Sequence, residues 1–129
     1  MTDGPGLRLG WLTIDAHDPD AQAAWWRRAL GFEEVSRDDD GEEVAISGPG
    51  WHGSRWNILF LRTQDPKERK NRLHLDLVPD DQALEVARLE SLGATRVDIG
   101  QRDVPWVVLA DPEGNELCIL TPRADPTTL

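Results

Sequence analysis

The stretch Asp18-Pro19-Asp20-Ala21-Gln22-Ala23-Ala24-Trp25-Trp26-Arg27-Arg28-Ala29-Leu30-Gly31 decides the fold, because it is punctuated at both ends. Asp18 is suited to accept hydrogen bonds from the free N–H groups of a starting helix, and Pro19 fits a first turn. Asp20 favours the positive end of the helix dipole. Gly31 is the residue type that ends a helix in the left-handed conformation. The stretch therefore predicts a helix over 21–30. Upstream, residues 7–16 alternate imperfectly between apolar and polar and read as a strand. Downstream, strands are expected at about 32–36, 42–47 and 55–62, the first two joined by the turn Asp39-Asp40-Gly41.

The second half of the chain repeats this order. Leu73 to Val78 alternates as a strand, and Pro79-Asp80-Asp81 starts a helix with apolar residues at Ala83, Leu84, Ala87 and Leu92, stopped by Gly93. Strands are expected at about 94–99, 104–110 and 116–121, with Asp111-Pro112-Glu113-Gly114 turning between the last two. An offset of 62 residues lays Asp18 on Asp80, Ala21 on Ala83, Leu30 on Leu92 and Gly31 on Gly93. That correspondence points to a duplicated βαβββ module. The expected organisation is an extension over 1–6, a single domain over 7–122 built from modules 7–62 and 72–122 with a linker at 63–71, and a tail over 123–129. Two such modules predict an α+β fold, a cupped eight-stranded mixed sheet with the helices on its outer face. Its concave surface is the place to seek a ligand.

Composition narrows the function. The chain has 129 residues and a formal net charge of −10, which opposes binding to a phosphate backbone, so no nucleic-acid partner is expected. No run approaches the ~18 apolar residues of a membrane span, and the first residues lack the basic and apolar regions of a secretory leader. A cytoplasmic location is expected. The lone Cys118 excludes an internal disulfide and a cysteine-rich zinc site. Six Trp against two Phe and no Tyr is the unusual figure, and more indole than one small core needs.

The paired modules, with Ala29-Leu30-Gly31-Phe32 ending the first helix, Leu92-Gly93-Ala94 ending the second and Asp111-Pro112-Glu113-Gly114-Asn115-Glu116 near the end, resemble the vicinal oxygen chelate superfamily. This superfamily contains glyoxalase I, extradiol dioxygenases, and fosfomycin and bleomycin resistance proteins. Lys70-Asn71-Arg72-Leu73-His74-Leu75-Asp76-Leu77 resembles its glyoxalase-like branch. The resemblance implies a homodimer, and in metal-using members a ligand on the first and fourth strands of each module. The corresponding positions here are Trp11, a residue among Trp56, Ile58 and Phe60, then His74, and finally Cys118, with Glu116 two positions early on the same strand face. Since at most His74 and Cys118 are donors, no cofactor is expected. His74, Glu116 and Cys118 are the weak candidates should a divalent metal bind.

The expected function is therefore binding of a small organic molecule by aromatic walls, in a resistance or sequestration role. Indole faces stack on planar groups and attract cations. Trp11, Trp56, Phe60, Trp106 and Cys118 would line the site, Trp51 and His52 would cover it, and His74 would supply the polar contact or act as acid/base. The competing reading is a metal-dependent lyase, isomerase or dioxygenase that uses His74 with non-standard partners. Lys67, Arg69, Lys70 and Arg72 read as a solvated basic linker.

Overall fold

Asp18 acts as its position predicts. Its Oδ1 accepts from the Ala21 N–H at 3.1 Å, and helix α1 (Pro19–Leu30) starts there. Gly31 closes the helix at φ 70°, its N–H donating to the Arg27 carbonyl. The protein is seen here as a computed structural model that describes residues 4–125, except for the side chain of His52. The first three and last four residues of the expected extension and tail lie outside the described residues.

The chain divides into two units between Thr63 and Gln64. In the first, β1 (Leu12–Ala16), β2 (Glu33–Arg37), β3 (Glu43–Pro49) and β4 (Arg55–Arg62) surround α1 in sequence, with a single 3-10 turn at Trp51–Gly53. Their order in the sheet is β1-β4-β3-β2, with β1 parallel to β4 and the other pairs antiparallel. The second unit carries β5 (Leu75–Leu77), α2 (Gln82–Ser91), β6 (Thr95–Arg96), β7 (Val107–Ala110) and β8 (Glu116–Ile119) in the order β5-β8-β7-β6. Again only the first and last strands are parallel. Two four-stranded mixed sheets, each with one helix, make the chain α+β with a repeated βαβββ module, as the sequence predicted. No helix among the described residues is long and apolar enough to cross a membrane.

Local differences from the sequence reading have local causes. Residues 7–11 do not join β1, because the Gly10 carbonyl accepts from the Asn57 side-chain amide at 3.3 Å instead of from a strand backbone. The strand expected at 94–99 shrinks to two residues. Past Val97, the Asp98 carboxylate takes the Gly100 N–H, and the Gln101 side chain takes the Ile99 N–H and the Val97 carbonyl. Trp25 and Trp26 are both core residues, packed edge to face with centroids 5.0 Å apart. In α2 the buried residues are Val86 and Leu89, whereas Leu84 is 66% exposed.

The cap of α2 is Asp81, whose Oδ1 accepts from the Leu84 N–H at 3.0 Å. The modules therefore correspond at an offset of 63 where the helices start (Asp18 to Asp81), one more than at the glycines that end them. Asp81→Ala is expected to lower the stability of the second unit by about 1 kcal/mol. Asp80→Ala, which removes no cap, should leave the urea unfolding midpoint within error. Equal losses in the two variants would contradict this assignment.

Candidate functional site

Pairing register sorts the side chains of each sheet onto two faces, because successive strand residues point to opposite sides. In the first unit Val44 pairs with Phe60 and Ile46 with Ile58, and all four are fully buried on the face that α1 covers. Gly48 belongs to this face. A Cβ there would come 2.1 Å from the Phe32 ring, so only glycine lets that ring lie flat on the strand. The face turned away from α1 carries Thr13, Ala45, Ser47, Asn57 and Leu59. In the second unit Leu75 pairs with Leu117 and Leu77 with Ile119, while Asp76 and Val108 flank Cys118 on the opposite face.

That second-unit face holds a cluster of donors. His74 Nδ1 lies 3.0 Å from Asp76 Oδ1. One ligand atom from each of His74, Asp76 and Cys118 lies within 4.8 Å of the others. Among the described residues this is the one such group of three. The two-residue spacing of His74 and Asp76 puts them on one side of the chain, and the parallel register brings Cys118 beside Asp76. Cys118 is buried, and burial pushes its thiol up to about 11. The Asp76 charge and hydrogen bond add to the rise, and Lys70 opposes it. The thiol therefore stays protonated at neutral pH and is not an activated nucleophile.

Glu116 lies on the same strand face but is engaged elsewhere. Lys67 Nζ sits 2.9 Å from its Oε2, and the Asn71 N–H donates to its Oε1 at 2.8 Å. Burial pushes this carboxyl up, but the hydrogen bonds from Lys67, the Asn71 N–H and its own backbone outweigh it and hold the group below the usual carboxylate range. The segment expected to be a solvated basic linker is thus fastened to β8. Asn71 adds a second tie by donating to Asn115 Oδ1 at 2.8 Å.

The first unit lacks such a cluster. Trp11 stands seven residues before the cap Asp18, as His74 stands seven before Asp81, so these two correspond. Thr13 likewise corresponds to Asp76. Thr13 pairs with Leu59 as Asp76 pairs with Cys118, which makes Leu59 the counterpart of Cys118. The sequence placed that position among Trp56, Ile58 and Phe60; the register corrects it to Leu59. A missed one-residue phase moves a residue to the other face. Neither Trp11 nor Leu59 offers a donor, and Glu116 is occupied by Lys67 and Asn71. The residues therefore do not fit the metal centre, with ligands from both modules, that the resemblance implies.

The remaining predicted residues lie on several different elements. Phe60 is 0% exposed and belongs to the core beneath α1, so it lines no ligand surface. Trp56 is on the α1 face by register. It is 43% exposed and lies over Gly50, where an added Cβ would meet its ring at 2.4 Å. Trp11 and Trp106 are 47% and 39% exposed, one in each unit. Trp51 is half-buried in the turn before β4, and the His52 side chain lies outside the described residues. Sequence reasoning pairs His74 with Asp76 on one strand face but misses their grouping with Cys118, and it misses Thr13, Ser47, Asn57 and Leu59 on the face of the first sheet turned away from α1. Alternation in residues 73–78 puts Asp76 on the face of His74, but only the strand register brings Cys118 to them.

Paired βαβββ modules with this strand order define the vicinal oxygen chelate fold. A family model, the glyoxalase-like domain, matches residues 11–120, and the chain belongs to that family. No curated protein matches it. Among solved structures, it is similar to a glyoxalase/bleomycin resistance protein/dioxygenase family enzyme from Burkholderia phytofirmans PsJN, with 20% identity, TM-score 0.66, and 86% of this chain and 95% of that one covered. It is also similar to a glyoxalase-related enzyme from Fulvimarina pelagi, with 16% identity, TM-score 0.64, and 88% and 87% covered. A third similar structure is the oxidase ChaP-H2, with 19% identity, TM-score 0.63, and 95% and 98% covered. At these identities the likeness establishes the fold.

Two predictions follow the site's electrostatics. Asp76→Asn removes the negative charge beside the thiol, so ultraviolet titration of the Cys118 thiolate should move downward from about 11. An unmoved titration would contradict the contact. The lowered Glu116 carboxyl contributes stability that is present above its unfolded value and lost as pH falls through the folded one. Lys67→Met removes the ion pair and leaves only the backbone N–H groups to oppose burial. It should cost about 2 kcal/mol at neutral pH and raise the midpoint of acid unfolding followed by circular dichroism. An unchanged midpoint would contradict the pairing.

Proposed function

We propose that this chain binds a small organic molecule without the two-module metal centre, on the face of its first sheet turned away from α1. The observation that carries the proposal is the replacement there. Trp11, Thr13 and Leu59 stand where the second unit has His74, Asp76 and Cys118. An indole, a hydroxyl and an aliphatic side chain form a surface that stacks on and packs against an organic ligand, with few polar groups to orient it. The role that fits such a surface is holding or sequestering a compound. A homodimer belongs to the proposal on family grounds, and sedimentation equilibrium reads it out.

The grouping of His74, Asp76 and Cys118 favours a second reading. Three protein ligands with a position left open is the pattern of catalytic zinc. A metal held there would act as a Lewis acid in a lyase, isomerase or dioxygenase-like reaction, with a deprotonated Cys118. The two readings separate on purified protein. Under the first, metal analysis finds no stoichiometric ion, and chelator-treated protein still binds planar organic compounds by tryptophan fluorescence. Trp11→Ala then weakens binding at least tenfold with an unchanged unfolding midpoint. Stoichiometric metal that disappears in His74→Ala would overturn the first reading in favour of the second.

A further inference from the structure

The face proposed to bind a ligand contains a directed chain of hydrogen bonds that no binding surface of indole and leucine requires. Arg55 Nε donates to Ser47 Oγ at 2.8 Å. Ser47 Oγ donates to Asn57 Oδ1 at 2.7 Å, and Asn57 Nδ2 donates to the Gly10 carbonyl at 3.3 Å. Every link is used in one direction. Ser47 accepts from arginine and so donates to the amide oxygen, which turns the amide nitrogen toward Gly10. Ser47 is itself buried, at 3% exposure.

The chain does two things. It ties the segment that carries Trp11 to β4, and it holds one edge of an exposed guanidinium in place. Arginine carries five N–H donors, and Nε uses one. Among the described residues no carboxylate lies within ion-pair distance of Arg55, whereas Arg37 and Arg62 of the first unit have acidic partners. Glu33 lies opposite Ser47 on β2, yet forms no ion pair with Arg55. In a chain of net charge −10, the exposed Arg55 is held by Ser47 and forms no ion pair among the described residues.

The rows of the sheet order these groups. Thr13, Leu59 and Ala45 share one row, Asn57 and Ser47 the next, and Arg55 stands beyond them opposite Pro49. Trp11 immediately precedes β1, whose first residue Leu12 pairs with Ile58. Along this face the residues therefore run from the half-buried Leu59, through the buried Ser47 hydroxyl and the half-buried Asn57 amide, to an exposed cationic fork. That fork matches a carboxylate or phosphate in geometry as well as charge.

We propose that the ligand of this face is an organic anion, a planar or apolar body bearing a carboxylate or phosphate, with Arg55 as the residue that selects the acid group. This rests on the small-molecule reading above and gives its ligand a negative charge. The phosphate and carboxylate sources share the same recognition, and the test carries both.

The test is isothermal titration calorimetry on chelator-treated full-length protein with naphthoate, naphthyl phosphate, naphthamide and naphthylmethylammonium. Wild type should bind at least one of the two acids roughly tenfold or more tightly than the amide, and the ammonium weakest, with the preference shrinking as salt rises. In Arg55→Gln the acid-to-amide ratio should fall to about one, while amide affinity stays as in wild type. In Arg55→Lys charge returns without the fork, and part of the preference returns. Ser47→Ala should at least halve the acid-to-amide ratio. Amide or ammonium binding as tight as the acids, or an acid preference that persists in Arg55→Gln, would overturn the proposal and leave small-molecule binding standing. Failure of all four probes to bind would overturn both.

Discussion

The parallel pairing of the first and last strand of each module is the constraint on which the rest depends. Leu12 against Ile58 and Leu75 against Leu117 fix which side chains face the helix. With a two-residue period there is no intermediate arrangement, and a slip of one would exchange the core for the ligand face. The register is held by burial of Ile46, Ile58, Phe60 and Val44 against α1, and of Leu109, Leu117 and Ile119 in the second unit. Everything said about the chemistry follows from what is left on the other side.

What is left differs between the modules. Duplication produced two equivalent faces, and they carry unlike groups. The second has an imidazole, a carboxylate and a thiol close together, the thiol kept protonated by burial and by its acidic neighbour. The first has an indole, a hydroxyl and an aliphatic group, backed by the ladder from Arg55 to Gly10. The one further carboxylate on the β8 face, Glu116, serves the architecture by fastening the segment between the modules through Lys67 and Asn71. The family fold is thereby kept while the two modules carry different groups at corresponding positions.

The fold was legible because its signals are local. Asp18, Pro19 and Gly31 mark a helix wherever the chain goes next, and their recurrence near residues 80–93 reveals the duplication. Strand lengths were less legible, since side chains of Asn57, Asp98 and Gln101 compete with backbone partners in ways alternation does not encode. The site was legible in part. His74 and Cys118 fell on inherited positions, but Asp76 joins them only through the β5–β8 register, and Leu59 could not be told from Phe60 without knowing one gap. Phe60 illustrates the cost: one position away along β4, the same kind of side chain is core.

The central claim is that the first module's face, without a metal, is where an organic molecule sits. Nuclear magnetic resonance of the chelator-treated protein tests it most directly, by following the Trp11 indole N–H and the methyl groups of Thr13, Ala45 and Leu59 alongside the His74 ring as a bound compound is added. The account predicts saturable shifts at Trp11, Thr13, Ala45 and Leu59 in the absence of metal. Shifts confined to His74 and its neighbours, or appearing only once a divalent ion is restored, would contradict it.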